Sequence, residues 1–118
     1  MEQNARLWPD EADRPWRTSV KSNDLELLLV SQFTLHGYFS GNKPDFHLSS
    51  RSPVHQFRQL APEPAKIFFD AFCERVRREH SPDKVAEGVF GAYMEVSIVN
   101  DGPITMQIDS KERKPTKK

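Results

Sequence analysis

Four residues in succession, Ser31-Gln32-Phe33-Thr34, combine two hydroxyls, a carboxamide and an aromatic ring, and Leu35 closes the group. Side chains of these types at the end of a strand can line a site, with backbone N–H groups nearby to act as donors. Either hydroxyl is a nucleophile by residue type, and Ser31 with His36 or His47 and Asp45 could be assembled into a triad. Nothing in their spacing requires it, because such a triad is defined by geometry and not by sequence position. A second unusual segment is Asn100-Asp101-Gly102-Pro103, four turn formers in a row. Proline cannot donate to a ladder and glycine permits unusual backbone angles. The pair therefore reads either as a plain tight turn or as a cis Gly-Pro bond kept for a purpose. Among His36, His47, His55 and His80 no pair has the i, i+4 spacing of a helical metal site with a carboxylate between, so no metal is expected. No Gly-rich loop opens a helix, and no cofactor is expected either.

The elements that must position these groups follow from the hydrophobic pattern. Leu25-Glu26-Leu27-Leu28-Leu29-Val30 is a short apolar block between polar residues, which favours a buried strand and puts Ser31 at its end. Residues 9–24 are rich in Pro, Asp, Arg and Ser without a period and read as loop and turn. From Gly37 to Pro64, with Gly41, Pro44, Pro53 and Pro62 among polar residues, a long connection with little regular structure is expected. From Pro64 to His80, Ala65, Phe69, Phe72 and Val76 recur at steps of four, three and four, which places them on one helical face. Ser81-Pro82 stops that helix, and Arg75, Arg77, Arg78 and His80 suit the negative pole of its dipole. The aromatic stripe reads as core packing, and Cys73 beside it as a small buried residue more than a nucleophile.

Beyond the helix the period drops to two. Met94, Val96 and Ile98 alternate with Glu95, Ser97 and Val99, and Ile104, Met106 and Ile108 alternate with Thr105, Gln107 and Asp109. Two half-buried strands are expected there, joined by the turn at 100–103. The order is an α+β domain with sheet on one side and helix on the other, without internal repeats.

A chain of 118 residues suits one domain, and its content of Leu, Ile, Val and Phe, about a quarter, is enough for a folded core. A mean hydropathy of -0.69 is polar for that size, so the core is thin and help from a partner surface is plausible. The single cysteine excludes a disulfide scaffold and a multi-cysteine zinc site and fits a reducing compartment. The longest aliphatic run, Leu27 to Val30, falls far short of the roughly 20 residues of a membrane helix. Met1-Glu2-Gln3-Asn4 lacks the marks of a signal peptide, so a cytoplasmic protein is expected. The 17 basic and 17 acidic residues cancel, but 111–118 hold five basic groups and one acid. That tail is either a solvated terminus or a flexible arm seeking phosphates.

The segments Ser31 to Leu35 and Asn100 to Thr105, with Gly41-Asn42-Lys43-Pro44-Asp45-Phe46 and Phe90-Gly91-Ala92-Tyr93-Met94 between them, together resemble the D-aminoacyl-tRNA deacylase family. The family signatures read SQFTL and NDGPVT, with Ile104 here in place of the valine. The resemblance is collinear from about Arg6 to Ser110. It implies a three-layer β/β/α sandwich over residues 1–110, shortened at the N-terminus, in a homodimer, with 111–118 as a basic tail. It also implies hydrolysis of the ester that joins a D-amino acid, or glycine mischarged on tRNA-Ala, to the terminal adenosine of tRNA. By this resemblance Gly102 and Pro103 of one subunit enter the pocket of the other and exclude an L-side chain by rigid backbone, whatever the side chain is. Catalysis would be assisted by the 2′-hydroxyl of the RNA, with an oxyanion hole from backbone N–H groups near Phe33 and Thr34. Ser31, Gln32 and Thr34 would position substrate, and Phe90, Gly91 and Met94 would line the adenosine site.

Two departures from the family pattern stand out. The chain starts near the strand that follows the family's helix, around Arg6-Leu7-Trp8. By this resemblance the family's first strand, whose Val-Gln-Arg-like sequence brings an arginine to the Gly-Pro loop, is expected to be missing. The loop from Ser49 to Glu63 is also longer than usual. A competing expectation is a catalytically silent tRNA- or nucleic-acid-binding relative that uses the basic tail, and turnover separates the two. A sister deacylase with altered stereochemical choice is disfavoured by the intact SQFTL and NDGP segments.

Overall fold

The computed structural model describes residues 2–46 and 62–110. Their regular elements, in chain order, are β1 (Leu27–Leu29), β2 (Tyr38–Ser40), β3 (Lys43–Asp45), α1 (Pro62–Glu79) and β4 (Val85–Glu87), with single 3-10 turns at Glu2–Asn4, Thr34–His36 and Pro82–Lys84. The architecture is mixed α/β: two small sheets and one helix.

The helix is the element the periodicity predicts, extended by two residues at its start, where Pro62 and Pro64 occupy a first turn that has no need of their missing N–H groups. Ala65, Phe69, Phe72 and Val76 lie on its more enclosed side, joined by the fully buried Cys73, while Ile67 and Phe68 face outward. Lys66 to Asp70 at 2.6 Å and Arg75 to Glu79 at 2.9 Å are ion pairs one turn apart on the exposed side. Arg77 and Arg78 occupy the last turn, where cations suit the carbonyl end.

β1 lies inside the predicted apolar block and pairs in parallel with β4, Leu27 opposite Val85 and Leu29 opposite Glu87. Parallel neighbours need a crossover, and α1 belongs to that crossover. Glu87 reaches α1 through Arg77 at 2.9 Å, so the face that carries Val85 and Glu87 is the one turned to the helix. Leu28 and Ala86 are on the opposite face and exposed. At the far end His80 anchors helix to strand, its Nε2 2.8 Å from the Leu25 carbonyl oxygen. Among the described residues Val20, Cys73, Val76 and Val85 are the buried apolar ones, a thin core as the composition implies.

The connection after Gly37 is more ordered than expected. β2 and β3 form an antiparallel hairpin, Tyr38 opposite Asp45 and Ser40 opposite Lys43. The two-residue loop Gly41-Asn42 closes it, with Gly41 at φ +63, the left-handed angle such loops ask of their first residue. Pro44 is tolerated because a two-stranded hairpin consists of edges. Residues 47–61, which hold His47, His55 and most of the long loop Ser49–Glu63, lie outside the described residues, as does the tail 111–118.

Residues 9–24 are irregular, as their composition implies, though Trp8 and Thr18 form an isolated antiparallel bridge. Asp10 organises the turn. Its carboxylate accepts the N–H groups of Ala12 and Arg14 at 3.0 Å and the Arg14 Nε at 2.8 Å. These bonds, the Arg14 backbone N–H foremost, hold its pKa below the ordinary carboxylate value.

The expected strands at 94–99 and 104–109 are not formed: residues 92–109 run without strand pairing. Met94, Val96 and Ile98, and likewise Ile104, Met106 and Ile108, are exposed, Ile98 to 69%. Alternation prepares a face for burial, but a strand exists only beside a neighbour that takes its hydrogen bonds. Among the described residues no helix is long and apolar enough to cross a membrane.

Candidate functional site

β1 delivers Ser31-Gln32-Phe33-Thr34 into a single helical turn. Phe33 has α-region angles of φ -84 and ψ -24, Thr34 opens the turn, and the Gly37 N–H closes it on the Thr34 carbonyl at 3.0 Å. The opening N–H groups of a helical turn find no acceptor within that turn. The Gln32 amide donates to the Thr34 hydroxyl, which fixes both polar side chains relative to each other.

The hairpin packs against this turn. The Phe33 and Phe46 rings meet edge to face with centroids 5.1 Å apart. Phe46 also covers Gly37 closely: a Cβ there would lie 2.6 Å from its ring and 3.1 Å from the Thr34 carbonyl oxygen. A cleft of about 210 Å³ opens beside it, lined by Ser40, Lys43, Pro44, Asp45 and Phe46. Sequence reasoning assigned no role to Phe46 or Gly37. The signal was their presence beside the signature segment, but only the fold shows that they touch it.

The Phe90, Gly91 and Met94 group occupies the turn after β4. The Gly88 N–H donates to the Leu29 carbonyl at 2.8 Å, and Ala92 N–H to Val89 at 3.2 Å. Met94 folds back so that its sulfur and methyl, with a Val30 methyl, are the atoms closest to where a Gly88 Cβ would stand, at 3.3 to 3.5 Å. Val30 immediately precedes Ser31, so this turn and the Ser31–Thr34 segment share the end of the parallel sheet. Phe90 faces the other way, toward Phe69 of α1 at 6.0 Å.

Gly102 and Pro103 are placed differently. Their peptide bond is cis, Gly102 sits at φ +117, and both residues are exposed. Among the described residues a Cβ at Gly102 would meet only Ile104, its backbone N at 3.4 Å and its side chain at 3.9 Å. The structure thus brings Ser31–Thr34 and Met94 to one sheet end and holds Gly102–Pro103 out on the unpaired segment. His47, one of the two histidines of the possible triad, lies outside the described residues. No cluster of three or more His, Cys, Asp or Glu that could hold a metal occurs among the described residues.

Cys73 is fully enclosed, and that burial pushes its thiol up to about 11 from an ordinary 9.0, assisted by its hydrogen bond to Glu87. The Glu87 carboxylate, which accepts that bond and pairs with Arg77, is held below the usual carboxylate range. A thiol kept neutral in the fold is inert at neutral pH. Native protein is therefore expected to resist iodoacetamide at about pH 8 and to react only in denaturant. Because the folded-state pKa is the higher one, this contribution to stability is complete below pH 9 and lost as the pH rises through 11. Rapid labelling of folded protein at the lower pH would contradict this assignment.

Comparison with known proteins places this arrangement in a known class. The fold matches a solved structure of the c-Myc DNA Unwinding Element Binding Protein with a TM-score of 0.76 and 39% identity, covering 92% of this chain and 66% of that one. Residues 3–109 match the D-Tyr-tRNA(Tyr) deacylase family, and the chain belongs to that family. It is 42% identical over 111 residues to a D-aminoacyl-tRNA deacylase of Dictyostelium discoideum, covering 93% of this chain and 67% of the relative. With the D-aminoacyl-tRNA deacylase 1 of Mus musculus it shares 41% over 107 residues, 91% of this chain and 46% of the relative. The chain thus spans about half the length of its mammalian relatives. The family is the one that the SQFTL and NDGP segments resemble.

Proposed function

We propose that this chain hydrolyses the ester of D-aminoacyl-tRNA, and of glycyl-tRNA mischarged on tRNA-Ala, as a chirality-proofreading enzyme of the cytoplasm. The observation that carries this reading is the family match across residues 3–109, which contains both the Ser31–Thr34 turn and the Gly102–Pro103 segment. Water adds to the ester carbonyl, the bond from that carbon to the ribose oxygen breaks, and the ribose oxygen takes a proton. The products are free amino acid and tRNA. Backbone N–H groups near Phe33 and Thr34 would stabilise the oxyanion, and each well-aimed donor contributes about 3–4 kcal/mol. The 2′-hydroxyl of the terminal ribose assists, so Ser31, Gln32 and Thr34 position substrate and Thr34 is not the nucleophile. Met94 and the backbone of Phe90 and Gly91 hold the adenosine beside them, while the Phe90 ring faces α1.

Gly102 and Pro103 act as the filter that rejects an L-side chain, in the pocket of a second subunit. Their exposure, and the lack of packing about Gly102 beyond Ile104 among the described residues, suit a segment that works in trans. In such a homodimer the alternating faces at 94–98 and 104–108 are covered as a second sheet layer, giving the three-layer sandwich. A second reading, a silent tRNA binder, is favoured by those same unpaired segments. Side-by-side hydrolysis of D-tyrosyl-tRNA and L-tyrosyl-tRNA by the 118-residue chain separates the two. Loss of the D ester alone supports the deacylase, whereas retention of tRNA with both esters intact supports the binder.

A further inference from the structure

The turn after β4 leaves a cleft of about 330 Å³ against α1, lined by Lys66, Phe69, Asp70, Glu87, Val89 and Phe90 together with Gly88. Phe69 and Phe90 form its aromatic wall, their rings tilted by 40° so that neither covers the other's face completely. Around that wall stand one ammonium group and two carboxylates: Lys66 Nζ lies 2.6 Å from Asp70, and Glu87 lies 2.9 Å from Arg77. These charges are paired within the chain, but an aliphatic ligand would make no use of the hydrogen-bonding capacity they keep, and a bare anion would meet two carboxylates. A nucleotide answers all of them. Any base has a π-face to stack on an aromatic ring. Carboxylates accept hydrogen bonds from exocyclic amines such as that of cytosine, and lysine serves a phosphate as a point charge.

We propose that this cleft takes the nucleotide that precedes the terminal adenosine of tRNA, its base stacked on Phe69 and Phe90, its exocyclic amine toward Glu87 and its phosphate toward Lys66. The inference rests on the proposed function, which seats the terminal adenosine at Phe90, Gly91 and Met94. Because Phe90 belongs to both places, a single strand leaving the adenosine site meets this cleft next. The Lys66–Asp70 pair would open to release the ammonium group to the phosphate. Specificity would then extend from the acylated adenosine to the strand behind it.

The test compares two substrates, an acceptor-stem minihelix charged with D-tyrosine and D-tyrosyl-adenosine alone. Phe69→Leu, which keeps an apolar side chain in place, is expected to raise KM for the minihelix roughly tenfold and to leave D-tyrosyl-adenosine unaffected. A minihelix abasic at the preceding position should lose the same factor with unaltered protein, and Phe69→Leu should then add nothing. Lys66→Ala should raise KM for the minihelix at low salt and progressively less at high salt. Equal losses on both substrates would mean that Phe69 merely supports Phe90, and no loss on either would leave the cleft without a role; both overturn the proposal. Hydrolysis of neither ester by the unaltered chain would overturn the proposed function instead. The cleft is then judged by fluorescence anisotropy with uncharged minihelix: weaker binding by Phe69→Leu, absent with the abasic form, upholds it, and indifference to Phe69 overturns it.

Discussion

Gly102→Ala is expected to lower hydrolysis of D-tyrosyl-tRNA by about a hundredfold or more, the scale on which displacing a positioned group by an ångström acts. The cause is the backbone. At φ +117 the glycine occupies a region that a residue with a Cβ rarely adopts, and the added atom would also press on the Ile104 N at 3.4 Å. An alanine in a tightly packed site would be strained by about 1–3 kcal/mol. This segment is exposed and has little packing to hold it, so it relaxes to ordinary angles and carries Pro103 with it. Fold stability should therefore change little while the filter moves. Parallel thermal melts and single-turnover deacylation assays check the two halves of this expectation. A D-ester rate equal to that of the unaltered chain would remove Gly102 from the site.

How much of this was legible in the sequence depended on how local each feature is. The helix at Pro62–Glu79 was readable because its period and its stop at Ser81-Pro82 are written within one stretch. The strand before Ser31 was readable for the same reason. β4 was not: it has three residues, of which only Val85 is buried, and it exists because β1 lies beside it. The β2–β3 hairpin was hidden by Pro44 and by the glycines that otherwise mark loop. The opposite error arose at 94–99 and 104–109, where perfect alternation foretold strands that no described neighbour completes. At the site, the chemistry-bearing residues were visible as types, but their contacts were not. That Phe46 seats on Phe33, or that Met94 returns to Val30, follows from chain reversals many residues long.

Those reversals make Gly37 the second position with a large expected effect, and Gly41 its natural contrast. Gly37 has φ -71 and ψ 156, angles open to any residue, so Gly37→Ala carries no backbone penalty. Its Cβ, however, would stand 2.6 and 2.7 Å from two carbons of the Phe46 ring and 3.1 Å from the Thr34 carbonyl oxygen. The ring must leave Phe33, and the turn that presents the Phe33 and Thr34 N–H groups must shift. Overpacking of this kind costs about 1–3 kcal/mol, and misaimed donors should lower kcat by about a hundredfold. Gly41→Ala is the reverse case, with open space within 4 Å of the new Cβ but φ +63. It should cost only the roughly 1 kcal/mol of a left-handed angle, a few degrees in Tm, and leave turnover unchanged, since the hairpin tip touches none of the reacting groups. Measured together, the pair separates a steric role from a conformational one. Equal losses of activity in both variants would show that hairpin stability, and not the Phe46 contact, supports the Ser31–Thr34 turn.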